Sequence, residues 1–170
     1  QIYLLKLGLS VIIISQITLF FSVLMNFLGM YLIIKSIIRK AIDLPNAKLI
    51  SFIFTYISIF VIKLHLGEGD YPVTLFGENT FGMYSASMPT FIFGLLANGN
   101  FFFAYFFSFI LLSVHGVAGL WIIGILTSTS IIYRYYFKSF ISPKYSIIGS
   151  VIGFLIFSAY VLFMHNTHSI

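Results

Sequence analysis

Cysteine is absent from all 170 residues, which excludes disulfides, thiolate metal sites and a cysteine nucleophile. Charge is scarce as well. Charged residues make up 8% of the chain, against about a quarter in an ordinary soluble domain. Acids number only 4, and Glu68, Asp70 and Glu78 share one stretch, "GEGDYPVTLFGEN". A paired-acid catalytic site is conceivable there; a solvated loop is the plainer reading. No phosphate-cradling glycine loop, Ser–His–Asp order or HExxH zinc signature occurs. The net charge of +5 is spread thinly, without a Lys/Arg cluster, and reads as anchoring at a membrane edge, not as a nucleic-acid surface.

Most of the rest is apolar. Hydrophobic residues are 60% of the chain, leaving too little polar surface to cover a globule in water. This composition predicts an integral membrane protein. Apolar runs near twenty residues, without strand-like alternation, predict an all-α polytopic bundle instead of a barrel. Five spans are expected in a single membrane domain over 1–170: about 7–34, 47–66, 80–97, 101–136 and 145–164. Pro45 holds Leu44 extended after the first span, Pro89 interrupts the third, and "NGN" at 98–100 is a turn signal. The run over 101–136 exceeds one crossing and would tilt or protrude. The chain opens at Gln1 without a methionine, so it is processed or its start lies elsewhere. The first apolar run is too long for a signal peptide.

Orientation is in conflict under this count. Lys35, Arg39, Lys40 and Lys48 mark the first connection as an inner one, and Arg134, Lys138 and Lys144 mark the last likewise. Five spans put those two connections on opposite faces. Splitting 100–133 into two helices would reconcile them, at the cost of two segments short of a normal span.

Several polar residues sit within the apolar runs. Gln16 and Asn26 are ten residues, close to three turns, apart, with Ser15 and Ser22 near the same face. An unpaired amide is costly in hydrocarbon. The amides therefore predict a helix–helix seam, or a functional or lipid contact at Gln16. His115 lies in "SVHGVAGLW" beside Gly116 and Gly119. It reads as a hydrogen-bonded residue at a close helix crossing, or as a haem or metal ligand, for which one imidazole is weak evidence. His65, His165 and His168 fall at span ends.

The order of these features resembles cytochrome c oxidase subunit III. "IIISQITLFFSVLMNF" is similar to that family's third helix, with Ser15 on its serine and Gln16 where a glutamate is usual. "LPNAKLISFIFTYISIFVIKLHLGEGD" resembles the fourth, ending in His65 and Glu68. "TFGMY" resembles the opening of the fifth, and "FFFAYFFSFILLSVHG" the Phe-rich approach to a His-Gly pair at His115 and Gly116, with Arg134 downstream. The likeness covers nearly the whole chain in order. Two helices before it are missing, as in five-helix quinol-oxidase forms. The last span lacks a Trp-His-Phe-x-Asp motif, and Gly119 and Trp121 lie where a second histidine is usual. The resemblance implies a non-catalytic, organelle-encoded membrane subunit of respiratory complex IV in the mitochondrial inner membrane. Its expected partners are subunit I, which with other subunits holds the haem and copper, and phospholipid. No cofactor would be bound by this chain. Gln16 cannot ionise, so a proton relay there is not expected. Ser15, Gln16, Asn26, His65, Glu68, His115, Gly116 and Arg134 are the expected structural, lipid or subunit contacts.

Two other likenesses remain open. "SVHGVAGLWIIGILT" also resembles the membrane anchor of succinate dehydrogenase, which would make His115 a haem ligand. The hydropathy profile and "TSTSIIYR" resemble a LytS-type receptor domain of a bacterial plasma membrane.

Overall fold

The computed structural model describes residues 8, 10–41, 46–65, 81–136 and 143–168. Among them every element is helical: α1 Val11–Ala41, α2 Ala47–His65, α3 Phe81–Ala97, α4 Phe101–Val114, α5 Gly116–Tyr136 and α6 Pro143–His168. The single domain expected from the sequence divides by its contacts into two compact units, Gln1–Phe91 and Ile92–Ile170, with the boundary inside α3. By length and composition two helices can cross a membrane, Ile12–Arg39 and Pro143–Met164. Only 11% of the most apolar stretch of each is buried, whereas the core helix of a water-soluble protein would be mostly covered.

In the first unit α1 packs against α2, and Phe27 meets Phe52 edge to face at 5.5 Å. α2 buries Ser51 and Thr55, four residues apart and both at 0% exposure, while Phe52, Ile53, Phe54, Tyr56 and Ile57 stay outside. The buried hydroxyls satisfy themselves on their own helix. Ser51 donates to the Ala47 carbonyl at 2.5 Å and Thr55 to the Ser51 carbonyl at 2.7 Å, a local bond open to short hydroxyl side chains. α1 also meets α3. Ser22 donates to Ser87 across 3.0 Å in a buried contact, and Gly29 lies so close to Thr90 that an added Cβ would stand 2.5 Å from its carbonyl carbon. Pro89 lacks the N–H that would bond one turn back, and α3 continues through it.

The second unit begins with a tight reversal. The N–H of Gly99 donates to Leu96 and that of Asn100 to Leu95, each at 2.9 Å, while Gly99 holds φ +77°. This is a Schellman turn, in which glycine takes the left-handed position at no side-chain cost. α4 then packs on both α5 and α6. Gly149 and Gly153 seat α6 on α4. A Cβ at Gly149 would collide with the Phe102 carbonyl oxygen, and one at Gly153 would lie 2.8 Å from the Cβ of Phe109. Phe109 and Phe154 close the same seam edge to face at 6.1 Å.

The expected single helix over 101–136 is two helices, broken at His115. Leu112 lies against Gly119, and Tyr105 shares a 2.8 Å hydrogen bond with Ser130. Pairs that close ever farther from His115 on both sides define an antiparallel hairpin. With 14 residues α4 is only about 21 Å long.

Among the described residues the buried polar ones are all Ser or Thr: Ser22, Ser36, Ser51, Thr55, Ser87, Ser108 and Ser146. The surface carries Trp121, Leu162, Leu120, Val117 and Phe20, each more than 60% exposed. Ile14, Met88, Ile92, Leu111 and Leu126 are buried as well, so the departure from a protein folded in water lies in the number of large apolar side chains left outside, with small hydroxyls and glycines at the seams.

Candidate functional site

His115 is the residue on which the second unit turns. Its backbone is extended, φ −145° and ψ 93°. Its N–H closes α4 on the Leu111 carbonyl at 2.7 Å, and its carbonyl opens α5 by accepting from Gly119 at 2.9 Å. The ring Nδ1 accepts from the Ala118 N–H at 3.2 Å, satisfying one of the donors that a helix start leaves unpaired. One residue thus ends one helix and caps the next. The expected bond from His115 across a helix contact is instead a bond to its own helix.

That bond has chemical consequences. A ring nitrogen that accepts an N–H carries no proton, so the neutral imidazole is protonated on Nε2. A haem-ligating histidine has the opposite need, a bare Nε2 on the metal and an Nδ1–H donated to an outer partner. The cap therefore opposes ligation in this conformation. Among the described residues no group of three His, Cys, Asp or Glu could hold a metal ion.

The glycines beside His115 divide. Gly119 is a contact residue, since an added Cβ would come 2.5 Å from the Leu112 Cα. Gly116, expected to share that role, is exposed with nothing within 4 Å of where a Cβ would stand. The crossing is four residues into α5, after the chain has finished turning.

The amide seam expected on α1 does not form among the described residues. Gln16 is exposed, and Ser15 and Asn26 are half-buried. Neither Gln16 nor Asn26 has a side-chain hydrogen-bond partner among the described residues. Ser22 forms the polar contact of α1 with α3 instead, at a position where a short hydroxyl lets two backbones come close. Gln16 sits among exposed Ile12, Ile13, Ile17 and Phe20.

Glu68, with Asp70 and Glu78, lies outside the described residues. His65 ends α2 and Arg134 lies in the last turn of α5, but their side chains lie outside the described residues too.

Sequence reasoning passed over Gly149 and Gly153, whose signal was present as "GSVIG", the glycine pair at four-residue spacing that lets membrane helices touch. It also passed over a shallow apolar groove along α5, lined by Leu120, Trp121, Gly124, Ile125 and Ser128 among others. No family model, curated protein or solved structure matches the chain.

Proposed function

We propose that this chain is an integral, polytopic helical membrane protein and a non-catalytic subunit of a larger membrane complex. By its resemblance that complex is cytochrome c oxidase of the respiratory chain, in the mitochondrial inner membrane. The chain would take the place of subunit III beside subunit I, with haem and copper held by its partners.

The observation that carries the subunit reading is Gln16. Its amide stands exposed in a field of isoleucine and phenylalanine, with no hydrogen-bond partner among the described residues. An amide left without a partner in hydrocarbon costs about 2–7 kcal/mol. A neighbouring subunit that supplies a donor or acceptor removes that cost.

The membrane reading draws support from the packing, since small residues at helix seams and apolar side chains outward are what lipid selects. It also relieves the charge conflict. A hairpin folded at His115 enters and leaves by the same face, whether or not its short first arm crosses fully. Counting it so supplies the split of 101–136 that the positive-inside rule asks for. The Nδ1 cap at His115 weighs against the dehydrogenase-anchor alternative.

Two measurements test the proposal. Trp121 is the sole tryptophan and is 70% exposed, so brominated lipid should quench its fluorescence in vesicles; an unquenched Trp121 overturns the membrane reading. Blue-native electrophoresis in mild detergent should find the chain in a large complex with a haem–copper subunit, and Gln16→Leu should weaken that association. A stable free monomer overturns the subunit reading.

A further inference from the structure

The C-terminal end of α1 is longer than a crossing requires. Residues 12–34 contain no charged side chain, and their 23 positions span about 34 Å. That fills the roughly 30 Å hydrocarbon layer. Residues 35–41 add about 10 Å, which carries them through a headgroup layer of about 5–7 Å. Lys35, Arg39 and Lys40 lie in this extension, and Lys48 lies in the first turn of α2, across a short connection. Asp43 is the one acid over 35–48, so the segment keeps a surplus of three positive charges, 4 − 1. Arg39 and Lys48 are exposed.

Lys35 shows how the collar is seated. Its Nζ stands 5.8 Å from the centre of the Tyr31 ring, one turn nearer the apolar run. A tyrosine with its ring at the boundary and a cation above it is the arrangement of an interfacial anchor. The apolar stem of Lys35 then lies along the helix with its charge held over the Tyr31 ring at the edge of the apolar run.

We propose that the cationic segment carrying Lys35, Arg39 and Lys48 forms a binding surface for anionic phospholipid headgroups. The inference rests on the membrane reading above and adds lipid selectivity to it. The occupant follows from charge and depth together: a surplus of positive charge along 35–48, with Arg39 and Lys48 exposed beyond a helix that has already filled the hydrocarbon layer. Zwitterionic headgroups satisfy the phosphate contact but bring their own cation, so they compete poorly.

The test uses the full chain in vesicles of phosphatidylcholine with a minority of phosphatidylglycerol. After extraction in mild detergent, the retained lipids are counted by mass spectrometry. Each surface cation favours anionic lipid by about 1 kcal/mol, or roughly fivefold, so the retained lipid should be enriched in phosphatidylglycerol at least about fivefold over the input. The combined variant K35Q/R39Q/K40Q/K48Q should return to the input ratio. Extraction of the unaltered chain at about 1 M salt, where screening acts within about 3 Å, should lower the enrichment, which decides the matter even where the variant fails to insert. The charge-keeping K35R/K40R/K48R should retain it. No enrichment in the unaltered chain, or enrichment untouched by the four substitutions, overturns the proposal. Quenching of Trp121 separates the two levels: quenched without enrichment, only lipid selectivity falls; unquenched, the membrane reading falls and this one with it.

Discussion

Adding one methyl group at Gly149 should leave the protein less stable than adding one at Gly124. Both glycines lie inside helices, where alanine is intrinsically better by about 1 kcal/mol. At Gly124 nothing lies within 4 Å of the new Cβ, so Gly124→Ala should realise that gain. At Gly149 the methyl would overlap the Phe102 carbonyl oxygen and stand 3.0 Å from its carbonyl carbon. The obstacle is backbone, which cannot rotate aside like a side chain, so α6 must shift away from α4 along a seam that also holds Gly153 and the Phe109–Phe154 pair. Overpacking of this kind costs about 1–3 kcal/mol. The propensity term is shared, so the difference between the two variants isolates the crowding, and Gly149→Ala should fall below Gly124→Ala by about 1–3 kcal/mol. Thermal or denaturant unfolding of each full-length variant in one detergent measures it. Equal stabilisation by both substitutions would refute the close seating of α6 on α4.

Two smaller perturbations probe other contacts. His115→Ala removes the ring that caps α5 and should destabilise by about 0.5–2 kcal/mol, whereas His115→Asn keeps a good capping side chain and should cost much less; hydrogen exchange over 116–119 should rise in the first variant, and haem absorbance of any complex holding the chain should not change in either. Ser22→Ala and Ser87→Ala each break the buried hydroxyl pair at a cost of about 0.5–1.5 kcal/mol, and a double-mutant cycle should show coupling; strict additivity would mean the pair contributes nothing jointly.

The helical class was legible because long apolar runs without the two-residue alternation of a strand read as helices. The reversal at 98–100 was legible because "NGN" offers a glycine to the left-handed position that Gly99 occupies. The break at His115 was not, because hydropathy runs through it and neither proline nor a polar cluster marks it; the capping bond depends on a ring nitrogen meeting an amide three residues on. The polar seam was misplaced for a related reason. Attention to the largest polar groups, Gln16 and Asn26, follows the cost of burying an amide. Close approach of helices is set by size, which favours Ser22, Gly29, Gly149 and Gly153. Exposure of Gln16 concerns what lies beyond the chain, and a single sequence carries no record of its neighbours.

The many large apolar side chains left outside also change which substitutions the fold can absorb. Along α2 and α6 the outward positions, such as Phe52, Ile53, Phe154 and Leu155, require bulk and oiliness without a particular shape, so isoleucine, leucine, phenylalanine and valine are close to interchangeable there. Constraint concentrates on the buried Ser51 and Thr55, where there is no exposed space for a larger side chain, and on Gly149 and Gly153, where even a single carbon alters how two helices meet. A saturation scan of this protein would thus show its most permissive sites at the outward-facing large apolar residues and tight limits at the small side chains of the helix seams. A gene under pressure toward one kind of codon could exchange most of its apolar surface while the scaffold beneath stayed as it was.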